Sequence, residues 1–246
     1  MSQKGLFGIL GEVVKNTGLI LHRTGCKMQG DYAYVEKLNR HTRLTAFGDN
    51  APIVGQKSFI APNASIIGDV VIGKESSIWY NAVLRGDVNS IHIGDKTVVS
   101  DRTVVHCSSN GPLGPKPTQI GDKVYIGPGS IVHAATILGE SFIGTGSTLC
   151  DGSVVEKNGF LEAGSLLTAG KTIKSGEYWG GSPAKFIRQV TKDDESQLEK
   201  IIEQNINLSE QHEKQTSKSA KELNNDLLQK YVKNRTRSDH ILNNPL

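Results

Sequence analysis

Aliphatic residues return at every sixth position through residues 60–173, and this spacing constrains the fold more than any other feature of the chain. Ile60, Ile66, Ile72, Ile78 and Leu84 form one unbroken series, Ile93, Val99 and Val105 a second, and Ile120, Ile126, Val132 and Leu138 a third. The longest runs through Ile131, Ile137, Ile143, Leu149, Val155, Leu161, Leu167 and Ile173. A helix repeats at about 3.6 residues and a strand at about two, so neither alone sustains a period of six. Short strands joined by corners do, when they wind into a parallel β-helix with one aliphatic side chain per face pointing inward. Three such faces make a coil of roughly 18 residues, so the span holds about six coils.

Glycine follows the aliphatic position at Gly68, Gly73, Gly94, Gly121, Gly127, Gly139 and Gly144, often with Asp next. Both residues tolerate the left-handed backbone that tight corners demand, and the expectation is that they turn the corners. The rule for parallel crossovers favours a right-handed coil. The strict hexapeptide pattern, however, resembles the left-handed β-helix proteins, and handedness is assigned from that resemblance. The breaks in the series carry their own information. Leu84 to Ile93 is nine residues, holding Arg85-Gly86-Asp87, and Val105 to Ile120 is fifteen. The second gap is a Pro/Gly-rich stretch that must leave the coil surface, where rigid scaffolds tend to carry function. A one-residue slip near Leu138 marks a corner that is a residue short.

The expected organisation is therefore mainly β. A basic amphipathic extension occupies 1–50, a left-handed parallel β-helix 51–187, a helix packing on the coils 188–215 and an arm 216–246. In the extension, Leu6, Phe7, Leu10, Val13, Val14, Leu19, Ile20 and Leu21 fall near helical spacing, with Lys4, Lys15, Arg23 and Lys27 against Glu12 alone. Such a segment reads as a mitochondrial import signal, as a helix seeking a membrane or large partner surface, or as a helix packing on its own domain. Thr191 with Asp194 gives an N-cap signature ahead of Leu198, Ile201, Ile202, Ile206 and Leu208, a helix over 191–213. Leu223, Leu227, Leu228, Tyr231 and Val232 suggest a second helix or an arm, and 234–246 a disordered or partner-dependent end.

Lys plus Arg number 28 against 25 for Asp plus Glu, an excess too small for a protein that binds nucleic acid through phosphates. No run of about 18 apolar residues marks a membrane span. Three cysteines without a CxxC spacing argue against a disulfide framework and for a reducing compartment. Among seven histidines no HxH or HExxH spacing occurs. His106 and His133 are 27 residues apart, one coil plus a loop, and each follows an inward Val, so both rings should point outward from adjacent coils.

Ser77-Ile78-Trp79-Tyr80-Asn81-Ala82-Val83-Leu84-Arg85-Gly86-Asp87, then Val104-Val105-His106, then Ile126-Gly127-Pro128-Gly129-Ser130-Ile131-Val132-His133, resemble the γ-class carbonic anhydrases. The Trp179 to Lys185 turn fits as well, and the match runs from about residue 40 to 215. Thr24-Gly25-Cys26-Lys27-Met28-Gln29-Gly30 and Arg40-His41 resemble more specifically the γ-carbonic anhydrase-like subunits of mitochondrial respiratory complex I. The resemblance implies a trimer of left-handed β-helices with zinc at the interfaces, held by three histidines, two from one chain and one from its neighbour. The open fourth position holds a water whose pKa falls toward ~7, giving a hydroxide that attacks CO2.

His106 and His133 match the first and third ligands; the second falls on Pro128, which has no side-chain lone pair. Ser100-Asp101 stand at the family's polar catalytic positions, where Gln-Asp is usual, and Arg85 and Asp87 at an interface ion pair. The implied protein is a structural subunit of the complex I membrane arm, on the matrix side of the inner mitochondrial membrane. Its partners would be other γ-carbonic anhydrase-like chains and membrane-arm subunits, with peripheral membrane contact through the N-terminus. Zinc is expected only at one interface of a heterotrimer whose neighbouring chain supplies the missing histidine. The alternatives are an active carbonic anhydrase, perhaps recruiting His92, and a hexapeptide acyltransferase, which shares the Gly-x-Pro-Ala-Lys turn.

Overall fold

A computed structural model describes residues 6–30, 41–111, 113–219 and 221–231. The chain divides into two compact units, Met1–His41 and Thr42–Leu246. The first carries a helix, α1 (Leu6–Gln29), unbroken by Gly8, Gly11 or Gly18. Its Thr17 and Thr24 hydroxyls donate to the carbonyls four residues back. Val14, Ile20 and Leu21 stand exposed along it. No helix among the described residues is long and apolar enough to cross a membrane.

The second unit is the parallel β-solenoid. On one face seven strands stack in parallel, from Phe59–Ile60 through Ser77–Ile78, Val98–Val99, Tyr125–Ile126, Phe142–Ile143 and Phe160–Leu161 to Glu177–Gly180. An antiparallel strand, Lys185–Gln189, closes the stack. The six-residue period foretells about six coils; this stack gains a seventh rung at Glu177–Gly180, beyond the periodic series, and the other faces gain theirs at Leu44–Thr45 and Ile53–Val54, ahead of it. Ile66, Ile78, Leu84, Val105, Val132, Ile143, Leu149, Leu161 and Ile173 are fully buried along the axis. The short corner is real: Val132 and Ile137 both point inward five residues apart, with Ala134 turning at φ 48° between them, while Ile131 and Leu138 are exposed.

The glycines correct the sequence reading. Gly68 and Gly139 have positive φ, as expected, but Gly73, Gly94, Gly121, Gly127 and Gly144 do not. The left-handed corner positions fall instead on residues such as Lys57, Glu75, Lys96, Lys123 and Asn158. What requires glycine at these five is the approach of the next coil. A Cβ on Gly121 would lie 2.3 Å from the Leu138 carbonyl oxygen, and one on Gly144 2.3 Å from the Ala163 nitrogen. Stacked strands sit about 4.8 Å apart, and the backbone above cannot yield as a side chain would.

Outside the inward column, Tyr125, Phe142, Phe160 and Tyr178 stack rung upon rung, with neighbouring ring centroids 5.3, 5.7 and 6.2 Å apart. Helix α2 (Lys192–Thr216) returns over this face and buries Leu198 and Ile202. Its start is fixed by a capping box in which the Thr191 hydroxyl accepts from the Asp194 amide and the Asp194 carboxylate accepts from the Thr191 amide. Further along, His212 Nδ1 lies 2.9 Å from the Tyr80 hydroxyl, inside a cluster with Phe59 and Trp79. His212 is thus accounted for by helix docking. A third helix, α3, spans 221–231 and exposes Leu227 and Leu228. The expectations for 31–40, including Arg40, and for 232–246 lie outside the described residues.

Candidate functional site

A second face carries the candidate site. Its outward column is read directly from the strand register. Ile67 pairs with Arg85, Arg85 with His106, and His106 with His133. The inward neighbours Leu84, Val105 and Val132 anchor each rung in the core. Two histidines 27 residues apart therefore become adjacent, with ring centroids 5.1 Å apart and planes tilted 44°. The fifteen-residue gap between Val105 and Ile120 costs no register, because it leaves the coil as an antiparallel hairpin, Ser108–Gly111 with Gly114–Lys116.

Each imidazole has a distinct partner. The Arg85 guanidinium donates to His106 Nε2 at 2.9 Å. Arginine has only donors, so that nitrogen presents its lone pair. Asp87 Oδ1 lies 3.3 Å from the same nitrogen, and Asp87 Oδ2 takes the Arg85 Nε at 3.3 Å. Burial pushes the His106 imidazole below its ordinary range, against the pull of the Asp87 carboxylate and helped by the Arg85 charge. His106 is thus held neutral, the form a metal requires. On the next rung, His133 Nδ1 is in short hydrogen-bonding contact with Asp151 Oδ1. That leaves Nε2 of His133 clear of the carboxylate.

The other expected residues fall elsewhere. Pro128 sits half-buried at the corner before the strand Ile131–His133, its carbonyl accepting from the Gly146 amide at 2.9 Å. It precedes His133 by five residues, up to roughly 16 Å of extended chain, so it stands at the opposite end of that strand. Ser100 is buried at the corner above, and Asp101 Oδ1 accepts from the Tyr80 amide at 3.0 Å. His92 pairs with Val71 and Gln119 on a different face, which removes it as a spare ligand beside His106 and His133. No group of three His, Cys, Asp or Glu among the described residues comes together to hold a metal within one chain. The two imidazoles suit a zinc ion once Arg85 gives up His106 Nε2, and the set is one donor short. The three cysteines are free, and burial pushes the thiols of Cys107 and Cys150 upward. Sequence reasoning missed Asp151, because the carboxylate lies one coil beyond the histidine it contacts and belongs to no local motif.

Residues 51–86 match the model for the bacterial transferase hexapeptide, six repeats. Gamma carbonic anhydrase 1, mitochondrial, of Arabidopsis thaliana is 43% identical over 219 residues, covering 89% of this chain and 78% of that protein. Gamma carbonic anhydrase 2, mitochondrial, of the same plant is 42% identical over 236 residues, 95% of this chain and 85% of that one. Among solved structures, a hexapeptide transferase family protein from Anaplasma phagocytophilum is 47% identical, with a TM-score of 0.63 over 68% of this chain and 96% of that chain.

Proposed function

The chain belongs to the γ-carbonic anhydrase family, and from that premise we propose that it is a non-autonomous member of a mixed trimer of left-handed β-helices, a structural subunit in the membrane arm of mitochondrial complex I. A mitochondrial setting is supported by the names of its relatives, and placement on the matrix side of the inner membrane belongs to the proposal. The observation that carries the reading is the pairing of a retained His106–His133 dyad with Pro128 at the third ligand position. Because Pro128 and the dyad lie at opposite ends of one strand, a complete ligand set must draw its third member from a neighbouring chain. A homotrimer would offer two imidazoles and a proline at every interface. A mixed trimer gives this chain one interface where a neighbour's histidine completes the set, and one that its own proline leaves open. Zinc held by His106, His133 and that third histidine would supply a hydroxide at neutral pH.

This chain's contribution is to keep His106 neutral by burial, to aim His133, and to present Arg85 and Asp87 at the edge of the face. Metal analysis and CO2 hydration, measured on the chain alone and on the native assembly, test the reading. Zinc and activity should be near background in the first and present in the second. Stoichiometric zinc in the homotrimer refutes it. An acyltransferase reading draws on the names of the hexapeptide family model and of the Anaplasma relative; protection of the fold against heat by acetyl-coenzyme A would be its signature.

A further inference from the structure

The corner aspartates of the solenoid share a habit that Asp151 breaks. Asp95 Oδ1 accepts from the Lys74 amide at 2.7 Å, Asp122 Oδ1 from the Asp95 amide at 2.7 Å, and Asp101 Oδ1 from the Tyr80 amide at 3.0 Å. In each case the carboxylate satisfies a backbone N–H one coil back. The Asp151 carboxylate instead faces the His133 ring. Its own backbone carbonyl remains in the ladder, accepting from the Gly170 amide at 3.0 Å. The side chain is released from corner duty and turned toward the imidazole.

The hairpin holds it there. A Cβ on Gly111 would lie 2.2 Å from Asp151 Oδ2 and 2.6 Å from Ser108 Oγ, so the hairpin closes against the carboxylate only because residue 111 has no side chain. The Gly111 amide meanwhile donates to Ser108 Oγ at 2.8 Å, which fixes the hairpin's own curvature. Leu113 extends the contact, lying 2.7 Å from where a Gly152 Cβ would stand. The Asp151 side chain is 17% exposed.

We propose that Asp151, clamped by the 108–116 hairpin, is the positioning residue that fixes His133 as the Nδ1–H tautomer and so aims its Nε2 lone pair out of the face at the shared metal. A neutral imidazole carries one proton on one of two nitrogens, and a carboxylate acceptor at Nδ1 decides which. Without it, Nε2 would hold the proton in part of the population and could not ligate. The inference rests on reading His133 as a ligand, but its first test does not need the metal.

Tautomers of the full chain labelled with 15N-histidine are read at pH 8 from long-range proton–nitrogen couplings. Wild-type His133 should be predominantly Nδ1–H. D151A should reverse that preference, D151N should retain it because the amide oxygen still accepts, and G111A should weaken it by displacing the carboxylate without removing it. An Nε2–H His133 in the wild type, or a ratio that D151A leaves unchanged, overturns the inference. In the mixed assembly, D151A should weaken zinc retention by about 10–100-fold, with D151N closer to wild type; unaltered retention also counts against it. A wild-type mixed assembly that binds no zinc would sink the functional reading instead, and the tautomer ratios would still decide the role of Asp151.

Discussion

Gly127 and Gly129 flank Pro128, and they are glycines for different reasons. At Gly127 a Cβ would meet the Thr145 nitrogen at 2.6 Å and its Cα at 2.8 Å, where ordinary contact begins at 3.4 Å. The obstacle is backbone, so Gly127→Ala must lift one coil from the next by about 0.8 Å. The Gly127 amide donates to the Ile143 carbonyl at 2.8 Å. Lifted that far, the bond reaches about 3.6 Å and is lost. One or two ladder bonds at about 1 kcal/mol each, with overpacking strain of about 1–3 kcal/mol, put the cost at about 2–5 kcal/mol. At Gly129 nothing lies within 4 Å, and φ is +67°. Gly129→Ala pays only for left-handed backbone, about 1 kcal/mol.

Urea unfolding of both variants, followed by far-UV circular dichroism and by tryptophan fluorescence, measures the difference. Gly127→Ala should be the more damaging by about 1–4 kcal/mol. Equal losses, or the reverse order, would show that coil spacing is not what demands glycine at this corner.

Four further outcomes follow from the same geometry. Pro128→His should restore the third ligand to every interface of a homotrimer and raise bound zinc from near background to about three ions per trimer by elemental analysis; no gain would mean that more than a ligand is missing. The depressed His106 pKa makes stability greatest above the ordinary imidazole value, about 6.5, and decreasing as pH falls through it, because the unfolded chain takes up a proton that the folded site resists. That decline, followed by urea midpoints from pH 8 to pH 5.5, should flatten in H106Q. The Arg188 guanidinium first, and then the Thr191 hydrogen bonds, hold the Asp194 carboxyl well below the usual range. Its contribution is therefore fully present above about pH 4 and is lost as the solution becomes more acidic, while T191A should cost about 1 kcal/mol through the lost cap.

The parts of the structure that were legible in the sequence are those in which the signal repeats. An inward aliphatic every six residues specified the solenoid, and even the short corner between Val132 and Ile137 showed as a slip in the count. The capping box at Thr191 and Asp194 was equally readable, because both halves of the motif lie within one turn. The roles of the glycines were not, since a corner glycine and a stacking glycine look alike until the next coil is placed over them. The first coil, from Leu44 and Ile53, escaped because it precedes the regular series. His106 and His133 could be paired by counting rungs, whereas Asp151 could not be attached to either: a hydrogen bond between side chains one coil apart leaves no trace in local spacing. Arg85 was expected as an interface residue; its contact with His106 Nε2 emerged only from the register.

The hairpin at 108–116 shows that the ladder counts rungs rather than residues. The chain leaves after His106 and rejoins at Thr118, paired with Ile91 on the preceding coil, and His133 still lands beside His106. An excursion at that point can therefore grow, shrink or change composition without moving either ring. The scaffold sets where the two imidazoles stand, and the excursion sets what leans against them. Chemistry at this face is in that sense modular: insertion and deletion in the wall leave the two rings in their places and alter how each ring is held.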